Sequence, residues 1–255
     1  MIRFENITKV LGGKTVLNDI SFEVSEGETF VIVGLSGAGK SVTLKHMIRL
    51  MLPDAGTVRV DGEAIGNLGR TALQAVRSKF GVLFQSAALL QWMSVHDNVA
   101  LPLREHTKMD EEEIGRLVAD KLRLLNLSDA GDKFPADLSG GMRKRVGLAR
   151  AIIMNPKIVL YDEPTSGLDP VTSRRIDNLI VDMRKELGIT SVVVTHDLHS
   201  ALSIGSRIMM LHKGRVVENA PPEEFIRSKD KTVQSFLESQ YITKKGKWEA
   251  GLSHE

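Results

Sequence analysis

Lys40 and Ser41 close a run, Gly34-Leu-Ser-Gly-Ala-Gly-Lys-Ser41, whose fixed residues fall at the spacing G-x-x-x-x-G-K-[ST]. That spacing suits the holding of a polyphosphate. The glycines let successive backbone N–H groups curl around phosphate oxygens, and a helix beginning there adds the partial positive charge of its N-terminus. Lys40 is placed to reach the β- and γ-phosphates, and the Ser41 hydroxyl to hold Mg²⁺. A Gly-rich turn without chemistry is the plain alternative. The flanks argue against it, since a strand-like apolar run, Thr29–Val33, leads in and a helix-like run from Lys40 to Leu50 leads out.

A second cluster complements the first. Ile158-Val-Leu-Tyr-Asp162-Glu163 reads as an apolar strand that ends in adjacent carboxylates. Successive strand residues point to opposite faces, so the two carboxylates can take different tasks. Asp162 suits Mg²⁺ bound through its water shell, and Glu163 suits polarisation of a water that attacks a γ-phosphate. Further back, Leu138-Ser-Gly-Gly-Met142 precedes an amphipathic helix expected over Arg143–Met154. Ser139, Gly140 and Gly141 therefore sit at a helix N-terminus, again an anion-binding geometry. One nucleotide needs only one cradle, and this chain offers two. The basic run Arg143, Lys144 and Arg145 is expected to be a solvated helix face.

The elements that must position these residues are legible in outline. Met1–Ile7 and Val16–Val24 read as strands around Gly12-Gly13, and Asp61-Gly62 is a two-residue hairpin signal between Gly56–Val60 and Glu63–Ile65. These predict an antiparallel N-terminal part. Phe80–Phe84, Ile158–Tyr161 and Ser191–Val194 are short and apolar, as buried parallel strands are. Asp110 with Glu113 reads as a capping box for a helix burying Ile114, Leu117, Val118, Leu122 and Leu125, closed at Ser128-Asp-Ala-Gly131. A last hairpin is expected over Arg207–Leu211 and Arg215–Asn219 around Lys213-Gly214, with a helix near Glu223–Ser228 after it. The expected organisation is one domain over residues 1–240, with a helical insertion at about 86–155, and a polar tail over 241–255.

Bulk composition narrows the class. The 255 residues suffice for a large core, and a net charge of +2 does not predict a nucleic-acid partner. Without cysteine there is neither a disulfide nor a thiolate metal site. The opening Met1-Ile-Arg-Phe-Glu-Asn6 lacks the basic-then-apolar layout of a signal peptide, and no run approaches the roughly 20 apolar residues that cross a bilayer. A chain soluble by itself is expected, with any membrane association made through a partner.

Taken in order, the phosphate loop, Leu138-Ser-Gly-Gly141, Tyr161-Asp-Glu-Pro164, Ser166-Gly-Leu-Asp169 and Thr195-His-Asp197 resemble the nucleotide-binding subunit of an ABC transporter. The resemblance covers residues 1 to about 227. It implies an α/β P-loop NTPase fold of ABC ATPase type, with a parallel core sheet, an N-terminal antiparallel β-subdomain and a helical subdomain insertion. It implies ATP with Mg²⁺, hydrolysis, and a homodimer packed head to tail, in which ATP on one copy's phosphate loop is closed over by Ser139, Gly140 and Gly141 of the other. ATP then supplies part of the interface, and hydrolysis removes it.

By the same resemblance, Gly34, Leu35, Ser36, Gly37, Ala38, Gly39, Lys40, Ser41 and Val42 bind nucleotide, and Ser41, Gln85 and Asp162 serve the metal. Glu163, His196 and Gln85 are the catalytic set: base, γ-phosphate contact, and sensor of Mg²⁺ and water. Asp169 orders the interface between subunits. Many relatives stack adenine on an aromatic residue where this chain has Leu11, so weaker base selectivity is expected, with Val16 sharing the contact.

Phe84-Gln-Ser-Ala-Ala-Leu-Leu90, the stretch Ser94-Val-His-Asp-Asn98 and the run Ser139–Arg150 are similar to ATPases of the Mce/Mla group, which move phospholipids or other hydrophobic molecules across a bacterial envelope. That similarity implies a separate integral membrane permease, an Mce-type lipid-binding protein in the same complex, and a place on the cytoplasmic face of the inner membrane. An ATPase for amino acids or lipoprotein release shares every hydrolytic motif. A soluble, non-transport ABC ATPase generally carries a coiled-coil insertion or two fused halves, and neither is seen here. A regulator that binds nucleotide without turnover is disfavoured by Glu163.

Overall fold

A computed structural model describes residues 1–240, so the tail expected over 241–255 lies outside the described residues. Along the chain run β1 (Ile2–Leu11), β2 (Lys14–Val24), β3 (Thr29–Val33), α1 (Lys40–Met47), β4 (Ala55–Val60), β5 (Glu63–Ala64), α2 (Arg70–Arg77) and β6 (Phe80–Leu83). Next come α3 (Val95–His106), α4 (Glu111–Leu124), α5 (Gly140–Ile152), β7 (Ile158–Asp162), α6 (Pro170–Leu187) and β8 (Thr190–Thr195). The chain continues through α7 (Leu198–Ile204), β9 (Arg207–His212), β10 (Arg215–Ala220), α8 (Pro222–Ile226) and α9 (Lys231–Ser239). It divides into two compact units, one formed by Met1–Gly66 with the chain from Val194 onward, the other by Asn67–Val193.

In the first unit, β1 pairs antiparallel with both β2 and β4, in a four-stranded sheet of order β2-β1-β4-β5. The two leading strands run longer than the sequence reading placed them, up to the glycine turn itself. The reason is that Val10↔Thr15 and Leu11↔Lys14 continue the ladder although their side chains are mostly exposed. Ile2, Phe4 and Ile7 alternate into the core against Leu17, Ile20 and Phe22. Phe4 stacks on Phe22 at 4.5 Å between centroids and Phe22 on Phe30 at 5.4 Å, with the Arg207 guanidinium 4.9 Å above the Phe30 ring. β3 is buried along its whole length and pairs parallel with β9, which turns back antiparallel into β10. Both hairpin signals hold: Asp61 and Gly62 have φ of 49° and 81°, Lys213 and Gly214 of 48° and 75°, the double left-handed turn that matches strand twist.

In the second unit the strand order is β8-β7-β6. β6 and β7 pair in parallel from Phe80↔Ile158 to Leu83↔Tyr161, so both strands end at one edge of the sheet. That register brings the residues following each strand together. Asp110 caps α4 by accepting from the Glu113 amide, as its sequence position predicts, and Ile114, Val118 and Leu122 are buried. Arg104 of α3 bonds Asp97 on its own helix and Glu111 on α4, which holds both carboxyls below the usual carboxylate range. Among the described residues no helix is long and apolar enough to cross a membrane.

Candidate active site

The phosphate loop joins β3 to α1 in the first unit. Leu35, Ser36 and Gly37 form an exposed crest, while Ala38, Gly39 and Lys40 are buried behind it. Two of its glycines are required by space as well as by dihedral. Gly34 has φ +153° and a Cβ there would stand 2.3 Å from the Leu211 carbonyl oxygen. Gly39, the residue before α1, has φ +106° and would place a Cβ 2.7 Å from Leu17 Cδ2 and 3.0 Å from the Val16 carbonyl. Val16 is thereby seated against the loop.

The N-cap position of α1 is Gly39, which has no side chain to cap the first turn. Lys40 Nζ donates to the Gly34 carbonyl at 2.9 Å and to Leu35 at 3.4 Å, so the ammonium is already folded over the loop. Ser41 and Val42 are half-buried in the first turn. Leu11, at the end of β1, is 37% exposed, and the preceding strand is anchored where Asp54 accepts from the Val10 amide at 2.6 Å and from Lys9 Nζ at 2.9 Å.

His196 follows β8 and is exposed. Its backbone is gripped from a distance in sequence: Gln240 Nε2 donates to the His196 carbonyl at 2.6 Å, and Gln240 Oε1 accepts from the Leu198 amide at 2.7 Å. Asp197 caps α7. Nothing local in the sequence announces Gln240, because the contact spans 44 residues.

The remaining candidates lie in the second unit. Asp162 ends β7, and Glu163 directly after it is nearly buried with φ 48°, a left-handed conformation that costs a non-glycine residue about 1–3 kcal/mol. Gln85 follows β6, with its amide nitrogen 3.5 Å from the Ser166 hydroxyl. Between them stands Lys144, only 5% exposed. Its ammonium donates to the Gln85 carbonyl at 2.6 Å and to the Glu163 carbonyl at 2.9 Å. Burial pulls Lys144 below the ordinary lysine range, while the Glu163 and Asp162 charges act in the opposite direction. The expected solvated basic face is corrected here. Lys144 points inward, Arg145 bonds the carbonyls of Leu125 and Asn126, and Arg143 bonds that of Leu138.

Ser139 is the N-cap of α5, its hydroxyl accepting from the Met142 amide at 3.3 Å. The two glycines after it are packed against the Ser166–Asp169 segment and α6: a Cβ on Gly140 would lie 3.1 Å from Leu168 Cδ2, one on Gly141 2.4 Å from Thr172 Cγ2. Asp169 caps α6, accepting from the Val171 and Thr172 amides at 3.0 Å each, and hydrogen bonds from Thr172 hold its carboxyl below the usual range. Sequence reasoning separated these two segments; the fold makes them one surface.

The loop after Gln85 is tied down by side chains the sequence did not single out. Fully buried Asn98 donates to the carbonyls of Leu90, Met93 and Ser94 and accepts from the Leu90 amide. Arg150 donates to the carbonyl of Ala87, and both Ala87 and Ala88 are left-handed, at φ 61° and 48°. Trp92, on this loop, is 73% exposed.

A profile of the family described as ABC transporter matches residues 17–166. The chain belongs to the ABC transporter ATP-binding family. It binds ATP, with Mg²⁺ as the usual accompanying ion, and hydrolyses it. Oxygen chemistry of the kind Mg²⁺ prefers is present in each unit: the Ser41 hydroxyl in the first, the Gln85 amide and the Asp162 carboxylate in the second.

This ABC ATPase is 41% identical over 241 residues to the probable ribonucleotide transport ATP-binding protein mkl of Mycobacterium leprae, covering 94% of this chain and 70% of that protein. It is 36% identical over 240 residues to the intermembrane phospholipid transport ATP-binding protein MlaF of Haemophilus influenzae, covering 94% and 91%. The methionine import ATP-binding protein MetN of Caulobacter vibrioides is 40% identical, at 93% and 72% coverage. Among solved structures, the dimeric bacterial ABC transporter cassette MJ0796 superposes with a TM-score of 0.81 at 34% identity, over 87% of this chain and 99% of that one. The same cassette in a post-hydrolysis state bound to ADP and Pi gives 0.80.

Proposed function

We propose that this ABC ATPase drives a separate membrane permease that moves phospholipid or another hydrophobic cargo in an Mce/Mla-type system. The observation that carries the cargo class is the set of stretches Phe84–Leu90, Ser94–Asn98 and Ser139–Arg150, which are similar to ATPases of the Mce/Mla group, together with the 36% identity to the phospholipid relative MlaF over 94% of this chain. The higher identities of mkl and MetN favour the second reading, an ATPase for another cargo such as an amino acid.

In this reading two copies pack head to tail, giving two equivalent composite sites, and the dimeric state of the MJ0796 cassette supports a pair. Lys40 and the loop amides neutralise the β- and γ-phosphates, with Leu11 and Val16 against the base. Ser41, Gln85 and Asp162 serve the metal, whose role is to offset charge on the phosphates. Glu163 accepts the proton of the attacking water, and His196 contacts the γ-phosphate. Ser139 and the Gly140 and Gly141 amides of the facing copy close the pocket, and Asp169 orders the seam. The loop from Gln85 to Ser94, with Trp92 outward, receives a short helix of the permease at the cytoplasmic face of the inner membrane, an Mce-type lipid-binding protein completing the complex.

Purification from detergent, followed by identification of bound proteins and extracted lipids, tests this. A stoichiometric permease carrying phospholipid is the expected result. A permease that binds methionine or another amino acid and carries no lipid would contradict the cargo class.

A further inference from the structure

Gln85, Lys144, Glu163 and Ser166 close a ring. Lys144 Nζ donates to the carbonyls of Gln85 and Glu163, the Ser166 amide donates to the Glu163 carbonyl at 3.2 Å, and the Gln85 amide approaches the Ser166 hydroxyl at 3.5 Å. The parallel register of β6 and β7 brings the two carbonyls to one edge, and α5 delivers the ammonium between them. We infer that Lys144 is a positioning residue for hydrolysis: by holding the carbonyls of Gln85 and Glu163 at once, it fixes the aim of the general base relative to the loop that senses the metal and the permease.

Glu163 is the constrained residue, at φ 48°. A left-handed φ is unfavourable for glutamate and persists only where its surroundings impose it. The orientation of the following peptide plane, and with it the direction of the carboxylate, depends on what binds the Glu163 carbonyl. Lys144 and the Ser166 amide both do, and Lys144 also binds the Gln85 backbone. A displacement of the Gln85 loop therefore pulls on the group that fixes the base. Methionine, one atom shorter and apolar, would fill most of the space and leave both carbonyls without that donor. The loss should appear in the chemical step, because the two carbonyls Lys144 holds belong to the base and to the loop that senses the metal.

The inference rests on Glu163 being the base, so the test keeps the two apart. Steady-state ATPase rates and nucleotide affinities are measured on the full chain for Glu163→Gln, Lys144→Met, Lys144→Gln and Arg145→Met, with thermal midpoints for each. Glu163→Gln examines the base alone, and a rate equal to wild type there would remove that reading whatever Lys144 does. With the base sustained, Lys144→Met should lower kcat at least tenfold with KM for ATP within twofold. Lys144→Gln, which keeps an N–H donor, should recover to within about threefold of wild type. Arg145→Met, on the same helix but bonded to Leu125 and Asn126, should keep kcat. A folded Lys144→Met with kcat within twofold of wild type overturns the inference. So does an Arg145→Met that loses as much, since the effect would then be general weakening of α5. Should Lys144→Met not fold, Lys144→Gln decides: a modest fall confined to kcat sustains the inference, and a rise in KM at unchanged kcat overturns it.

Discussion

The Cγ2 methyl of Thr172 lies where a side chain on Gly141 would begin: a Cβ there would stand 2.4 Å from it. This contact joins the first turn of α5 to the first turn of α6, and so joins the Ser139 cap to the Asp169 cap. Gly141→Ala should force the two turns apart, destabilise the chain by about 1–3 kcal/mol as overpacking does, and lower ATPase activity by more than tenfold. Thr172→Ser removes the methyl. Melting curves of the single and double variants should show the double Gly141→Ala, Thr172→Ser recovering most of the lost stability.

Asn98 answers four backbone groups of the loop carrying Trp92 from a fully buried position. Asn98→Ala leaves those groups without their side-chain partner, and a loss of about 3 kcal/mol is expected by urea titration. Hydrolysis by the isolated chain should change little, while stimulation by the permease should fall, because the loop would no longer be held in shape.

His46 supplies the pH dependence. Its Nδ1 faces the Val42 carbonyl at 2.7 Å, and its buried Nε2 has no hydrogen-bond partner among the described residues. Burial holds its pKa below the ordinary 6.5. The unfolded chain takes up that proton near pH 6.5 and the folded chain only at lower pH, so stability falls as pH drops below about 6.5 and is not altered by this group above it. Thermal midpoints from pH 7.5 to 5.5 should decline, with a shallower decline in His46→Gln. An unchanged slope would remove His46 as the cause.

Leu11 offers apolar contact without a π-face. Leu11→Tyr should tighten ATP binding by about 1 kcal/mol, the lower end of base–aromatic stacking, measured by nucleotide titration. No gain would contradict the alignment of Leu11 with the base.

What the sequence made legible follows from the range of the forces involved. The phosphate loop, the Asp110 cap and the Asp61-Gly62 and Lys213-Gly214 turns are local, set by glycine dihedrals and by side chains a few residues away. Helix α3 did not announce itself, because Pro102 interrupts its interior, and its Ser94 cap reads only as loop chemistry. The inward turn of Lys144 was illegible for a different reason. Its carbonyl partners lie 59 and 19 residues away, and a lysine between two arginines looks solvated until β6 and β7 are aligned. Gln240 on the His196 segment and Gly141 against Thr172 belong to the same class of contact, made by the fold.

The composite pocket proposed above needs two copies of the chain, and the rate of the isolated chain against its own concentration tests that most directly. The turnover per chain at saturating MgATP should climb as the protein is concentrated and fall toward zero on dilution, with Ser139→Arg abolishing the climb. A turnover per chain that stays constant down to strictly monomeric concentrations would contradict it.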